Sequence, residues 1–233
     1  MKPHVTCLML TSLDGRLGSG RSGPGAEEEI KARGRAFEAA HDELGGDGWI
    51  IGRVTAQEMS KAAPHPPAEP GRPARPAHVA RRDAGAYGII LDPSGKVHFE
   101  RGDIGGDHVV VLLGGEVSDA HLAELAADGV SYLVAEGPEI DLAAALDVLA
   151  REFGVKRLLL EGGGGVNGAF LKAGLVDEVV VLVWPSINGV TGERAIFEAG
   201  EEGLANVLSL ELTSFEARSG VVWLRYAVAP RSS

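Results

Sequence analysis

Four consecutive glycines, Gly162 to Gly165, follow an apolar run and Glu161 in the stretch "KRLLLEGGGGVNGAFLKAGL". A glycine-rich turn between a buried strand and a helix lets the backbone come close to a ligand. It also presents unpaired N–H groups at the positive end of the helix dipole, which is a cradle for phosphate. Gly163, Gly165 and Gly168 spell G-x-G-x-x-G, so a Rossmann dinucleotide site has to be weighed. Such a site wants an acidic residue about 20 residues on, at the end of the next strand. Here that strand ends in "VWPS", and too little chain follows for a second βαβ half. A Rossmann site is therefore not expected. Close helix–strand packing would be served by one or two glycines, so a cradle is the better reading of four.

A second stretch, "WIIGRVTAQEM", is a strand ending in Gly52, followed by Arg53 and by Thr55, which opens a helix. Gly52 permits close approach, Arg53 offers a fork of donors suited to phosphate, and Thr55 can cap the helix or donate to a second phosphate. Two strand-to-helix anion sites suit a dinucleotide with a pyrophosphate and an extra ribose phosphate, which is NADPH rather than NADH.

The elements that must carry these turns are legible as apolar runs of strand length: "HVTCLMLT", "GWIIG", "YGIILD", "HVVVLL", "SYLVAE", "KRLLLE" and "DEVVVLVWP". Most lack alternation, as strands covered on both faces do. Helical spacing marks "EEEIKARGRAFEAAHDEL", "SDAHLAELAADG", "DLAAALDVLAREFG" and "VNGAFLKAGL", with Gly129 and Gly154 where helix C-termini want a positive φ. Alternating helices and strands predict a mostly parallel sheet, and "NVLSLELTSFEARSGVVWLRYAV" predicts a closing antiparallel hairpin about Ser219 and Gly220. Residues 1–233 read as a single domain. Residues 62–86, rich in proline and arginine, read as a surface loop within it.

The formal net charge of -11 argues against a general nucleic-acid or acidic-membrane binder. The lone cysteine, Cys7, excludes an intrachain disulfide and a cysteine-based metal site, and no metal ligand set is expected. Cys7 reads as strand packing. No run approaches the roughly 18 apolar residues of a spanning helix, and no signal peptide is apparent. A soluble cytoplasmic protein is expected.

With "GWIIGRVT", "EGGGGVNGAFLKAGLVDEVVVLVWPSINGVTGERAIFEAG" and the opening "HVTCLMLTSLDGRLGS" in that order, the chain resembles the dihydrofolate reductase superfamily. Within it, the likeness is to the pyrimidine reductase of riboflavin biosynthesis, the reductase domain of the bifunctional deaminase-reductase. The deaminase's zinc signature of His-x-Glu with Pro-Cys-x-x-Cys is lacking, so the resemblance is to a stand-alone reductase. It implies a dihydrofolate reductase-like three-layer α/β fold with a mostly parallel central sheet and a C-terminal antiparallel hairpin. It implies reduction of the ribosyl group of 5-amino-6-(5-phosphoribosylamino)uracil, or of the related 2,5-diamino pyrimidinone, to the ribitylamino product at the expense of NADPH. It also implies a homodimer.

Residue by residue, the resemblance places Gly52, Arg53 and Thr55 on the adenosine-side phosphates and Ser94 near the 2′-phosphate. Gly163, Gly164, Gly165, Val166 and Asn167 would hold the pyrophosphate, and Leu10 and Thr11 would lie beside the nicotinamide. Glu161 stands where the family's glutamate contacts substrate and is a candidate catalytic and substrate-binding group; its plainer reading is a solvated strand-end carboxylate. Asp14 is a second catalytic candidate, or a shaper of the active-site loop, since Asp-Gly is a common turn pair. Pro185, Gly189 and Gly192 resemble the loop beyond the cofactor strand. The arginine that would engage the substrate's phosphate has no match by spacing; Arg72, Arg75, Arg81 and Arg82 are the available ones. Other readings are an NADPH reductase of the same fold acting on a pteridine, a dihydrofolate or another small carbonyl or imine, and a nucleotide-binding regulatory protein without catalysis. A folate-type enzyme would use a carboxylate on the first long helix, where Glu38 and Asp42 stand.

Overall fold

The computed structural model describes residues 2–18, 25–67, 73–205 and 207–230. The elements run β1 (His4–Ser12), α1 (Ala26–Leu44), β2 (Gly48–Gly52), α2 (Arg53–Ser60), β3 (Ala77–His78), β4 (Tyr87–Leu91), β5 (Asp103–Ile104) and β6 (Asp107–Leu113). They continue through α3 (Asp119–Ala127), β7 (Ser131–Val134), α4 (Leu142–Glu152), β8 (Arg157–Leu160), α5 (Gly164–Lys172), β9 (Glu178–Trp184), β10 (Leu208–Arg218) and β11 (Val221–Pro230). The result is a mixed α/β fold with mostly parallel strand pairing and antiparallel strands near the C-terminus. It divides into two compact units, one of residues 1–3 and 47–158, the other of residues 4–46 and 159–233.

In the first unit β2, β4, β6 and β7 lie side by side and parallel, with β3 antiparallel to β7 and β5 antiparallel to β6. Their apolar sequences fill the interior: Ile50, Ile89, Ile90, Val109 to Val111 and Leu113 have no exposed surface, and Leu122, Leu125, Leu146 and Leu149 pack from α3 and α4. Each of these helices begins on a side-chain cap, Ser118 accepting from the His121 N–H at 3.2 Å and Asp141 from the Ala144 N–H at 3.0 Å. Gly129 and Gly154 have φ of 73° and 69°, as a helix C-terminus followed by a strand requires. The described residues of the 62–86 segment are exposed or half-buried. The segment nonetheless carries β3, which two residues without periodicity gave no means of foreseeing.

In the second unit β1 pairs in parallel with β9, and β9 carries the β11–β10 hairpin on its other side. Ser219 and Gly220 both have positive φ, 49° and 82°, the requirement of a two-residue hairpin turn that follows the strands' twist. Helix α1 has Glu27, Glu28 and Glu29 in its first turn, where the dipole favours anions. Its buried residues are Arg33, Ala40 and Leu44. Arg33 ties α1 down by donating to the Leu17 carbonyl at 3.0 Å and to Ser186 Oγ at 3.4 Å. Cys7 is fully buried in β1, and burial, then the charge of Glu161, pushes its thiol pKa far up, as inert packing implies.

Candidate functional site

The second unit holds the glycine turn. Leu158, Leu159 and Leu160 are buried, so β8 delivers Glu161 and the glycines to its C-terminal end, the edge at which α/β sheets bind ligands. Helix α5 starts at Gly164, two residues earlier than apolar spacing predicts, because glycines give no periodic signal. The glycines do two different jobs. A Cβ on Gly164 would meet the Ala195 carbonyl oxygen at 2.3 Å, and one on Gly168 the Glu198 carbonyl oxygen at 2.0 Å. These two seat the 195–199 segment against the helix, and the Glu198 N–H donates to the Gly164 carbonyl at 2.9 Å. A Cβ on Gly163 or Gly165 would meet nothing within 4 Å. Internal packing therefore explains Gly164 and Gly168 and leaves Gly163 and Gly165 facing open space. The first N–H groups of a helix have no intrahelical acceptor, which makes this helix start able to receive an anion.

Asn167 differs from its partners in the turn. Its side chain is fully buried and donates to Met9 Sδ at 3.0 Å and to the Ile196 carbonyl at 2.9 Å, so it holds α5 to its surroundings. Val166 and Asn167 close the first turn through N–H bonds to the Gly163 carbonyl.

Glu161 is not a solvated strand end. Its side chain is 8% exposed, and its Oε1 lies 2.7 Å from Nδ1 of His41, in the last turn of α1, whose side chain is 32% exposed. His41 carries no sequence signal beyond being a histidine near a helix end. Glu38 and Asp42, the carboxylates flanking it, are exposed.

Asp14 sits on the turn after β1 and accepts three hydrogen bonds: from the Asn188 N–H at 2.9 Å, the Gly189 N–H at 2.9 Å and Ser12 Oγ at 2.7 Å. These bonds hold its carboxyl well below the usual carboxylate range, the two backbone N–H groups contributing most. The 12–17 turn and the 186–196 segment are laced further by Leu13 N–H to Ser186 O, Leu17 N–H to Arg194 O and Arg16 Nη1 to Glu193 O. Asp14 thus shapes the loop containing Gly189 and Gly192, both at positive φ. Leu10 and Thr11 are buried at the C-terminal end of β1, the Thr11 hydroxyl lying 3.1 Å from the Ser12 carbonyl and 3.2 Å from that of Arg16.

The first unit holds the other turn. Gly52 is the N-cap of α2 and Arg53 its first residue, so Thr55 lies within the first turn and is not the cap. No acidic residue occupies that turn. A cation there opposes the helix dipole unless an anion joins it. Arg53 Nη1 donates to Gln57 Oε1 at 2.9 Å, and Gln57 Nε2 donates to the Lys96 carbonyl at 3.2 Å. The link matters because Gly52 is the register partner of Leu91, so the turn after β4 that bears Ser94 stands beside the start of α2. Asp92, fully buried, builds that turn by accepting from the Lys96 and Val97 N–H groups at 2.6 and 2.8 Å and from Ser94 Oγ at 3.2 Å. At the same edge, beyond β6 and β7, a cavity of about 450 Å³ is lined by Leu113, Leu133, Val134, Ile140, Ala144 and Val148.

Of the arginines considered for a substrate phosphate, Arg75 is held by Asp119 at 2.9 Å and the Val117 carbonyl at 2.6 Å, Arg81 by Asp83 at 3.3 Å and Arg82 by Glu152 at 2.6 Å. Arg72 lies outside the described residues. No helix among the described residues is long and apolar enough to cross a membrane.

Comparison with known proteins agrees with this layout. The RibD C-terminal domain family matches residues 3–224. A curated relative, the 2,5-diamino-6-ribosylamino-4(3H)-pyrimidinone 5′-phosphate reductase of Methanothermobacter thermautotrophicus, is 38% identical over 81 residues, which is 34% of this chain and 37% of the relative. Among solved structures, RibD of Acinetobacter baumannii superposes with a TM-score of 0.61 at 22% identity, over 98% of this chain and 58% of that one. A pyrimidine reductase-like protein of Corynebacterium diphtheriae gives 0.66 at 20% identity, over 98% and 93%. The structural likenesses speak for the fold, and the curated relative is matched over little more than a third of its length. The family match spans nearly the whole chain, and the chain belongs to the RibD C-terminal domain family.

Proposed function

We propose that the protein is an NADPH-dependent reductase of riboflavin biosynthesis, acting on a phosphoribosylaminopyrimidine. The observation that carries the reading is a buried carboxylate, Glu161, paired with His41 and standing immediately before a glycine turn whose Gly163 and Gly165 face open space. Arg53, a cation at a helix start without an acidic neighbour in its turn, suits the extra phosphate that separates NADPH from NADH. Gly52, Thr55 and Ser94 complete the adenosine-side set, and the cavity at that edge, lined by apolar side chains together with Glu136, Glu139 and Asp141, has room for a flat base. When bound, the cofactor would supply the hydride that reduces C1′ of the substrate, opened as its imine, to the ribityl chain.

The chain's own residues position and protonate. Leu10 and Thr11 wall the end of β1 and exclude water, and Gly163 to Gly165 offer backbone donors to phosphate. Glu161 stabilises the cationic imine of the substrate, and His41, reaching solvent, passes the proton. The carboxylates that a folate-type enzyme would need on α1, Glu38 and Asp42, are exposed, which favours the pyrimidine reading over the pterin one. A pathway of soluble metabolites makes the cytoplasm its compartment, and the apolar face of the C-terminal hairpin suits a homodimer.

The test is steady-state oxidation of NADPH by the purified chain with the phosphoribosylated diaminopyrimidinone, its deaminated uracil analogue and dihydrofolate. Turnover is expected with one of the pyrimidines and not with dihydrofolate; turnover with dihydrofolate alone moves the chain to the pterin reading, and cofactor binding without any turnover to the regulatory one. Arg53→Ala should raise KM for NADPH about 10- to 100-fold, the worth of a charge-assisted hydrogen bond, and leave NADH unaffected. An unchanged preference between the two cofactors removes Arg53 from the phosphate. In the same assay Glu161→Gln should lower kcat about a hundredfold or more.

A further inference from the structure

Three side chains of the first unit that take no part in the proposed reaction converge beside the Ser94 turn. His121 and Glu124 lie three residues apart on α3, hence on one face of it, and the Ser118 cap fixes the start of that helix. His98 comes from the segment that follows the Asp92 turn. One ligating atom from each of the three lies within 4.8 Å of the others. His98 Nδ1 is 2.7 Å from Glu124 Oε1, and the two imidazoles meet edge to face with ring centres 5.1 Å apart.

Burial makes this cluster costly as it stands. Glu124 is 2% exposed and His121 6%. Among the described residues neither ring nitrogen of His121 has a hydrogen-bond partner. An unpaired buried imidazole and a buried carboxylate both lose the hydration they had in the unfolded chain. The His98–Glu124 hydrogen bond relieves the carboxylate but does nothing for His121. One group satisfies all three at once: a cation that accepts lone pairs from two imidazoles and a carboxylate.

We propose that His98, His121 and Glu124 form a binding site for a divalent transition metal of the zinc class, with a fourth position left to water. Two imidazoles and one carboxylate suit zinc and its neighbours, whereas magnesium and calcium take oxygen donors. On binding, the metal replaces the proton shared by His98 and Glu124. The site goes beyond the reductase reading and serves structure. His98 lies four residues past Ser94, and its carbonyl accepts from Ser60 Oγ at the C-terminal end of α2, so the metal fastens α3, the Ser94 turn and α2 into one piece. A neighbouring trio, His65, Glu124 and Asp128, shares the glutamate. His65 is exposed and already has Asp128 at 3.1 Å and the Ala63 carbonyl at 2.8 Å, so it borders the site and is not counted among its ligands.

The test uses the full chain stripped by chelator and titrated with zinc alone and cobalt alone. Expected are one equivalent bound, the intense visible absorption of low-coordinate cobalt, and a zinc-dependent rise in melting temperature. His121→Asn and Glu124→Gln should each abolish the cobalt band and weaken zinc at least a hundredfold, while His65→Ala changes affinity by no more than a few fold. Melting and far-ultraviolet circular dichroism of the metal-free variants establish that they fold. Should either variant not fold, the stoichiometry and cobalt spectrum of the parent decide. A parent that binds no equivalent, a His121→Asn variant that binds as the parent does, or a loss confined to His65→Ala overturns the assignment.

Discussion

At the scale of the residue, Asp14 ties the charge of one carboxylate to the stability of a loop. Its depressed pKa means that its folded form prefers the carboxylate. The stabilisation is therefore fully present above the unfolded value of about 3.9 and is lost as pH falls through the lower folded value. The difference in melting temperature between the parent and Asp14→Asn should be largest near neutrality and shrink below about pH 4; a difference independent of pH would mean that the carboxylate's charge is not what holds the loop. The Asp-Gly turn was legible as a turn. Its acceptor role was not, because the donors at Asn188 and Gly189 lie 174 and 175 residues away. Glu161 stood out as an acid ending an apolar strand, while His41 did not, since only folding brings α1 to the end of β8. The cluster proposed to bind a metal was hidden for the same reason: a histidine 26 residues before Glu124 makes no motif.

At the scale of the element, the β8–α5 turn separates two uses of one residue type. Gly164→Ala should cost about 1–3 kcal/mol of stability, the usual penalty of overpacking, because its Cβ would overlap the Ala195 carbonyl. Gly165→Ala has room, and alanine in a helix is favoured over glycine by about 0.5–1 kcal/mol, so it should hold or raise the melting temperature while weakening NADPH. Thermal melting and fluorescence titration with NADPH read the two effects separately. A Gly165→Ala variant with undiminished NADPH affinity would remove the turn from the cofactor. Apolar runs located β1, β2, β4 and β6 to β9, since burial on both faces writes itself as a continuous run, whereas the largely exposed β10 and its partner β11 are legible from alternation about Ser219 and Gly220. The start of α2 was misread by two residues, because a threonine that can cap looks the same in sequence as one inside the first turn.

At the scale of the whole molecule, the C-terminal hairpin offers a surface. A register shift between Leu212 and Ser214 brings Phe215 onto the face already occupied by Leu210 and Leu212, opposite Val228, Tyr226 and Leu224. Phe215 is 73% exposed there, with Leu210 and Leu212 about half exposed. An apolar stripe of this kind on a long edge strand is a docking face or an aggregation hazard. Phe215→Glu should convert a dimer of the parent into monomers, as read by light scattering or sedimentation at micromolar concentration; a monomeric parent, or a variant of unchanged mass, excludes this face. The hairpin itself was legible from Ser219-Gly220, but the bulge that gathers the stripe was not, because it depends on pairing. That pairing also reaches far along the chain. Thr6 of β1 and Glu178 of β9 are 172 residues apart. At a synthesis rate of about 5–20 residues per second, β1 leaves the ribosome roughly 10–30 s before its partner exists. A strand that folding buries at eight of its nine positions waits that long for this neighbour, so for the nascent chain the hazard falls on the strand that the finished protein hides most completely.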